Sequence, residues 1–236
     1  MNYLLFILFG LAPSFLWLLY YLRKDAHPEP KRMISKVFFF GMMSAIPALA
    51  LEFGFQFFFD RLPLASFTSS VLFIFIGISL TEEVCKFMAV RLSAFSNSAL
   101  DEPVDIMLYM VISALGFAAI ENTMVLFGLN PDSPAFSIAT LSGIRFLGAT
   151  FLHTLASALL GYFLALSYSA AKNRRINIAK AFLFATLLHG FFDLYILKAE
   201  GTIKFFAPLA IFIATAFFIS FAFGKLRAMK SACQIQ

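Results

Sequence analysis

The sequence predicts an all-α, polytopic transmembrane helical bundle of about seven spans, and three observations carry that reading. The 236 residues are 61% hydrophobic and only 13% charged, with 33 phenylalanines and a strongly positive mean hydropathy, far from the balance of a water-soluble domain. The apolar residues gather into stretches at 3–22, 37–59, 70–92, 104–127, 143–167, 178–197 and 204–224, each long enough to cross a hydrocarbon layer of ~30 Å. None of these stretches shows the short alternating segments of an outer-membrane barrel, so helices are favoured over strands.

The first stretch ends in "LLYYLRKD" and lacks both a basic leader and a small-residue cleavage site, which predicts a retained span. The second follows the Pro- and charge-rich "RKDAHPEPKR". The third runs from "VLFIFIGI" into "SLTEEVCKFMAV", placing Glu82, Glu83 and Lys86 inside a span. The fourth carries Glu121 and Asn122, and the turn-like "GLNPDSPA" separates it from the fifth, which holds His153. The sixth brings His189 and Asp193, and the seventh is apolar with a basic end. The connections are too short for a soluble domain, so residues 1–236 read as a single integral-membrane domain with phenylalanine as lipid-facing bulk.

Lys and Arg fall unevenly on alternate sides. One side receives Arg23, Lys24, Lys31, Arg32, Lys36, Arg91, Lys172, Arg174, Arg175, Lys180, Lys225, Arg227 and Lys230; the other receives Arg61, Lys198 and Lys204. The positive-inside rule then predicts a multi-pass protein of the cell membrane with its N-terminus outside and its C-terminus cytoplasmic. The formal charge of +5 lies in these connections, where it orients the chain, and implies no nucleic-acid partner. Cys85 and Cys233 make neither a disulfide framework nor a metal-ligand spacing.

Ionisable groups at bilayer depth cost about 2.5–3.5 kcal/mol each on insertion scales, so they face the bundle interior and mark function. Glu82 and Lys86 are i, i+4 and Glu83 and Lys86 are i, i+3, so the lysine can neutralise one carboxylate and leave the other as a base. His189 and Asp193 are also i, i+4, a spacing that lets a carboxylate orient an imidazole. His153 lies on a small, polar stripe with Thr150, Ser157 and Gly161, suited to facing another helix. Each signal alone has a plain structural reading: an interhelical ion pair, or a hydrogen-bonded packing histidine. Glu52, Gln56 and Arg145 stand alone or near a span end and are read that way. Two histidines, a glutamate and an aspartate on three spans, with a carboxylate pair on a fourth, form a set that supplies a general base and metal ligands.

Four of these segments, in order, resemble the motifs of the PrsW family of intramembrane proteases: "EEVCK" (82–86), "GFAAIEN" (116–122), His153 within "RFLGATFLHTLASALLGY", and "HGFFD" (189–193). The resemblance extends to "YYLRKDAHPEP" and "DEPVD", with Ile106 where a glycine is expected after Asp105. It implies cleavage of a membrane-anchored anti-sigma factor at its first site, and kinship with type II CAAX prenyl endoproteases, which carry comparable Glu and His motifs. PrsW-like proteins are classed as metalloproteases, whereas the CAAX relatives are argued to use a glutamate-activated water.

There is no H-E-x-x-H, so a zinc or other divalent site must be assembled from separate helices, with Glu121, His153 and His189 as ligands and Asp193 as a further ligand or support. One of Glu82 and Glu83 then acts as base on the bound water. Without metal, the same glutamate, balanced by Lys86, activates water directly while a histidine and Asn122 donate to the oxyanion. Two rival classes are a proton- or ion-coupled transporter, which should show broken helices in related halves, and a non-catalytic scaffold, which should have lost a motif residue. The expected partners are a membrane-anchored protein substrate and the lipid bilayer.

Overall fold

The computed structural model describes residues 3–23, 28–169, 173–198 and 203–229; Lys24, Lys172, Lys230 and Cys233 lie outside the described residues. Among the described residues seven helical runs follow one another. They are α1 (Tyr3–Leu22), α2 (Lys31–Phe59), a run made of α3 (Ser66–Leu72), a π-helical segment (Phe73–Leu80) and α4 (Thr81–Ser93), then α5 (Pro103–Phe127), a run made of α6 (Ala135–Leu147) and α7 (Ala149–Ser169), α8 (Arg174–Lys198) and α9 (Ile203–Arg227). No strand occurs among the described residues. Six of these runs are long and apolar enough to cross a membrane. The seventh is the charged third run, unbroken from Ser66 to Ser93 but divided by its π segment. The helices overrun the apolar stretches, most clearly in α2, because a helix continues into the interface where composition turns polar.

A helix that is apolar on every face must be surrounded by others. That helix is α5, buried without interruption from Pro103 to Ala119 and packed against α1, α2 and α7. Its start is fixed by "DEPVD". Glu102 and Asp105 form a reciprocal capping box around Pro103 in the first turn, and Asp105 accepts the backbone N–H groups of Glu102 at 2.7 Å and Asp101 at 3.1 Å. The Tyr109 hydroxyl donates to Glu29, which ties the segment before α2 to the central helix.

Small residues let the backbones approach, as packing between helices in lipid requires. A Cβ on Gly41 would run into the Ser113 carbonyl, and one on Gly116 into the Phe38 carbonyl, so α2 and α5 touch through paired glycines. The outer surface carries exposed aromatics such as Phe53, Phe67, Phe136 and Phe217, the lipid-facing bulk expected from composition.

Two irregularities shape the interior. The hydroxyls of Ser79, in the π segment, and Thr81, at the start of α4, bond carbonyls five residues back, Ile74 at 2.8 Å and Ile76 at 3.1 Å, which supports the wider turn and shifts the register of everything after it. At Gly148, with φ −99° and ψ −96°, the fifth run bends between α6 and α7. Trp17 of α1 braces the bend by donating its indole N–H to the Phe146 carbonyl at 3.0 Å.

Candidate active site

The first two turns of α4 carry the charges. Lys86 is fully buried, and its ammonium reaches Glu82 Oε2 at 3.1 Å, Glu83 Oε1 at 2.8 Å and His153 Nδ1 at 2.8 Å, with the Phe117 ring 4.5 Å away. Its three N–H donors thus meet three acceptors. Lys86 was expected to balance one carboxylate; it binds both, because the i−3 and i−4 positions flank the same ammonium. Glu83, also fully buried, further accepts from Ser157 Oγ at 2.8 Å and meets His189 Nδ1 at 3.1 Å.

The two histidines come from α7 and α8 and stand with ring centroids 5.1 Å apart. Lys86 can only donate, so Nδ1 of His153 accepts, and Nε2 carries the proton toward Glu121 Oε2 at 2.6 Å. His189 turns Nδ1 to Glu83 and Nε2 to Glu82 Oε2, at 3.8 Å, and Asp193 Oδ2, at 3.4 Å. Each imidazole therefore has one nitrogen held by a carboxylate, Glu121 on His153 and Glu83 on His189, while the other faces Glu82 together with Lys86 on His153 and Asp193 on His189; a carboxylate on the far nitrogen fixes a ring's orientation.

Glu82, His153 and His189 are the described donors whose ligand atoms all lie within 4.8 Å of one another. His153 Nδ1 and His189 Nε2 lie 3.7 and 3.8 Å from Glu82 Oε2. Two ligands on one tetrahedral zinc stand ~3.3–3.4 Å apart, so Glu82 lies within a few tenths of an ångström of that spacing from each imidazole. Two imidazoles and a carboxylate are donor types that suit a divalent metal, with the Lys86 ammonium set on His153 Nδ1 at 2.8 Å. Of the other expected ligands, Glu121 lies on His153 Nε2 at 2.6 Å, the nitrogen farther from Glu82, and Asp193, expected as a further ligand or support, lies 3.4 Å from His189 Nε2, the same nitrogen that Glu82 approaches.

The group forms the polar floor of a cavity of about 630 Å³ whose walls include Leu49, Ile78, Met124, Ile144, Pro208 and Phe212. Glu82 lines it, as do Glu121, His153, His189 and Asp193, whereas Glu83 and Lys86 lie behind. Arg145 and Glu52, read from the sequence as isolated residues, also line it. Arg145 donates through Nη2 to Glu121 at 2.9 Å and through Nε to Asn122 Oδ1 at 2.5 Å. That contact joins α6 to α5 across the turn at 128–134, so no helical spacing announces it; the only signal is the cost of an arginine beside an apolar run. Asn122 spends its amide N–H on Thr150 at 2.9 Å and is buried behind Arg145, off the cavity wall. Gln56 bonds Asp60 at 2.7 Å on the exposed side of α2, in keeping with its plain structural reading.

Residues 29–222 match the family described as PrsW family intramembrane metalloprotease. Among characterised proteins the chain is similar to Protease PrsW of Geobacillus kaustophilus, 28% identical over 195 residues that cover 81% of this chain and 79% of the relative. It is similar to Protease PrsW of Bacillus subtilis, 25% identical over 206 residues (86% and 88%), and to that of Oceanobacillus iheyensis, 28% identical over 191 residues (80% and 81%). No solved structure matches. The family match covers most of the chain and all four charged segments of the cavity floor, so this protein belongs to the PrsW family of intramembrane metalloproteases and is an intramembrane endopeptidase.

Proposed function

We propose that the protein, acting as one domain over residues 1–236, hydrolyses a peptide bond in a single-span membrane protein of the anti-sigma-factor type, near the outer boundary of the membrane. The observation that carries this reading is the convergence of Glu82, His153 and His189 at the floor of an apolar cavity within the bundle. The orientation that goes with it has the N-terminus outside and the C-terminus in the cytoplasm, on the Lys and Arg balance.

Glu82, His153 and His189 would hold a divalent metal, zinc foremost, which when bound polarises a peptide carbonyl and acidifies a water. The chain's own residues divide the remaining work. Glu121 and Glu83 fix the two imidazoles, and Lys86 offsets the charge of the paired glutamates. Asp193, at the cavity wall beside His189, takes the proton of the attacking water and returns it to the departing amine. Arg145 donates to the developing oxyanion and is held in place by Asn122.

A second reading has its own observation. The Lys86 ammonium sits on His153 Nδ1, the nitrogen that would ligate the metal, which favours direct activation of water by Glu82 with the histidines as donors. The purified chain incubated with a panel of single-span substrates tests the activity, with Glu82→Gln and Glu83→Gln beside wild type. Normal cleavage by both variants would rule out the carboxylate assignment. Elemental analysis of chelator-washed, fully active protein separates the two readings, since activity without stoichiometric transition metal leaves only the glutamate version.

A further inference from the structure

We propose that the end of the bundle opposite the active-site cavity holds the headgroup of an anionic phospholipid, its phosphate clamped between Arg91 of α4 and Arg174 of α8. Both arginines line one cleft of about 420 Å³, whose walls include Phe87, Phe95, Tyr168 and Phe182. Arg91 lies in the last turn of α4 and Arg174 opens α8, so two helices that run in opposite directions bring their cations to the same end. Neither guanidinium has an ion pair with a described carboxylate. The Arg174 guanidinium stands 5.4 Å over the Tyr168 ring, which turns its edge to Phe95 at 5.4 Å; Phe87 meets Phe182 at 5.5 Å.

Two exposed guanidiniums above an aromatic wall match an amphiphile. The planar forks suit phosphate oxygens, and basic clefts between spans on the cytoplasmic side are sites for anionic headgroups. The rings continue the cleft below the cations, where acyl chains lie and a free phosphate ion would gain nothing. Lys36 and Arg175 belong to the same end by sequence, so the surrounding field also attracts an anionic leaflet.

The consequence concerns the enzyme. α4 carries Glu82, Glu83 and Lys86, α7 carries His153, and α8 carries His189; the cleft joins the far ends of these three helices. A phosphate bridging Arg91 and Arg174 fixes α4 against α8 and so holds the donors in register. The binding site stands apart from the catalytic reading and is tested without it.

The full chain, purified in a zwitterionic detergent, is titrated with phosphatidylglycerol, phosphatidylcholine, and inorganic phosphate or glycerophosphate, and followed by native mass spectrometry and thermal unfolding. Phosphatidylglycerol should bind and raise the unfolding temperature, phosphatidylcholine and the soluble phosphates should not, and Arg91→Gln/Arg174→Gln should weaken binding by about tenfold or more. Arg91→Lys/Arg174→Lys keeps both charges but loses the forks and should fall between; Arg227→Gln, elsewhere on the same end, should bind as wild type. Equal binding of both lipids, unchanged binding by the Gln double variant, or equal competition by soluble phosphate each overturns the proposal. Because both arginines are exposed, the variants should stay folded, and the wild-type lipid comparison decides the matter even if they do not.

Discussion

Lys86 is the residue on which the others depend. An ammonium with no exposure, set between two carboxylates and an imidazole, removes a desolvation cost that neither glutamate could bear alone. Lys86→Ala should therefore destabilise the protein by about 3–5 kcal/mol, because it strands buried charge, and the loss should appear in thermal unfolding before any assay. Glu82→Gln is the contrasting case. It keeps the shape and a hydrogen-bonding side chain, so folding should hold while cleavage falls by about 10²–10⁴-fold. Arg145→Gln should lower turnover by about 10²–10³-fold, as loss of an oxyanion donor does, with a smaller effect for Asn122→Ala, which only positions it. Unchanged turnover in Arg145→Gln would return Arg145 to a structural role. The contacts within one helix were legible in sequence, since Glu82, Glu83 and Lys86, or His189 and Asp193, follow the helical repeat. Lys86 to His153, Ser157 to Glu83 and Arg145 to Glu121 were not, because which helix faces which is decided by packing across the whole bundle.

Among elements, α5 sets the frame and the third run sets the chemistry. The paired contacts at Gly41 and Gly116 fix how closely α2 lies to α5, and the Phe117 ring next to Gly116 faces Lys86. Gly116→Val should push the helices apart at a cost of about 1–3 kcal/mol, an overpacking penalty visible as a lower unfolding temperature; an unchanged temperature would mean that the two helices slide without loss. Apolar length located all seven runs. It could not show the π segment, since "VLFIFIGI" is as apolar as any α-helical span and the cause lies in hydroxyls bonding five residues back. Nor could it show the bend at Gly148, although the glycine itself stands in the sequence. Arg145, three residues before that bend, meets Glu121 because α6 packs beside α5, a contact between helices that no spacing within one helix shows.

For the molecule as a whole, the two ends of the bundle differ in chemistry, and the difference predicts where substrates are cut. The cavity is bounded by residues near the ends of α5 and α8 and the start of α9, such as Met124, Leu197 and Leu209. Glu121 lies six residues before the end of α5 and Asp193 five before the end of α8, or ~9 and ~8 Å at a rise of ~1.5 Å per residue. The basic side chains Arg91, Arg174 and Arg227 mark the opposite end. With that basic end in the cytoplasm, the floor of the cavity lies in the outer half of the bilayer, and the scissile bond should fall near the outer boundary of the substrate's span. A substrate entering sideways would unwind only its last turns to present an extended bond, whereas a cut deeper in the membrane would expose many backbone groups to hydrocarbon. Mass spectrometry of both fragments, together with labelling of single cysteines introduced at each end of the enzyme, tests cut site and orientation separately. Products ending near the outer boundary, with the C-terminal end labelled from the cytoplasm, are expected. A cut on the cytoplasmic side by an enzyme of the expected orientation would show that the catalytic group lies elsewhere than on the floor of this cavity.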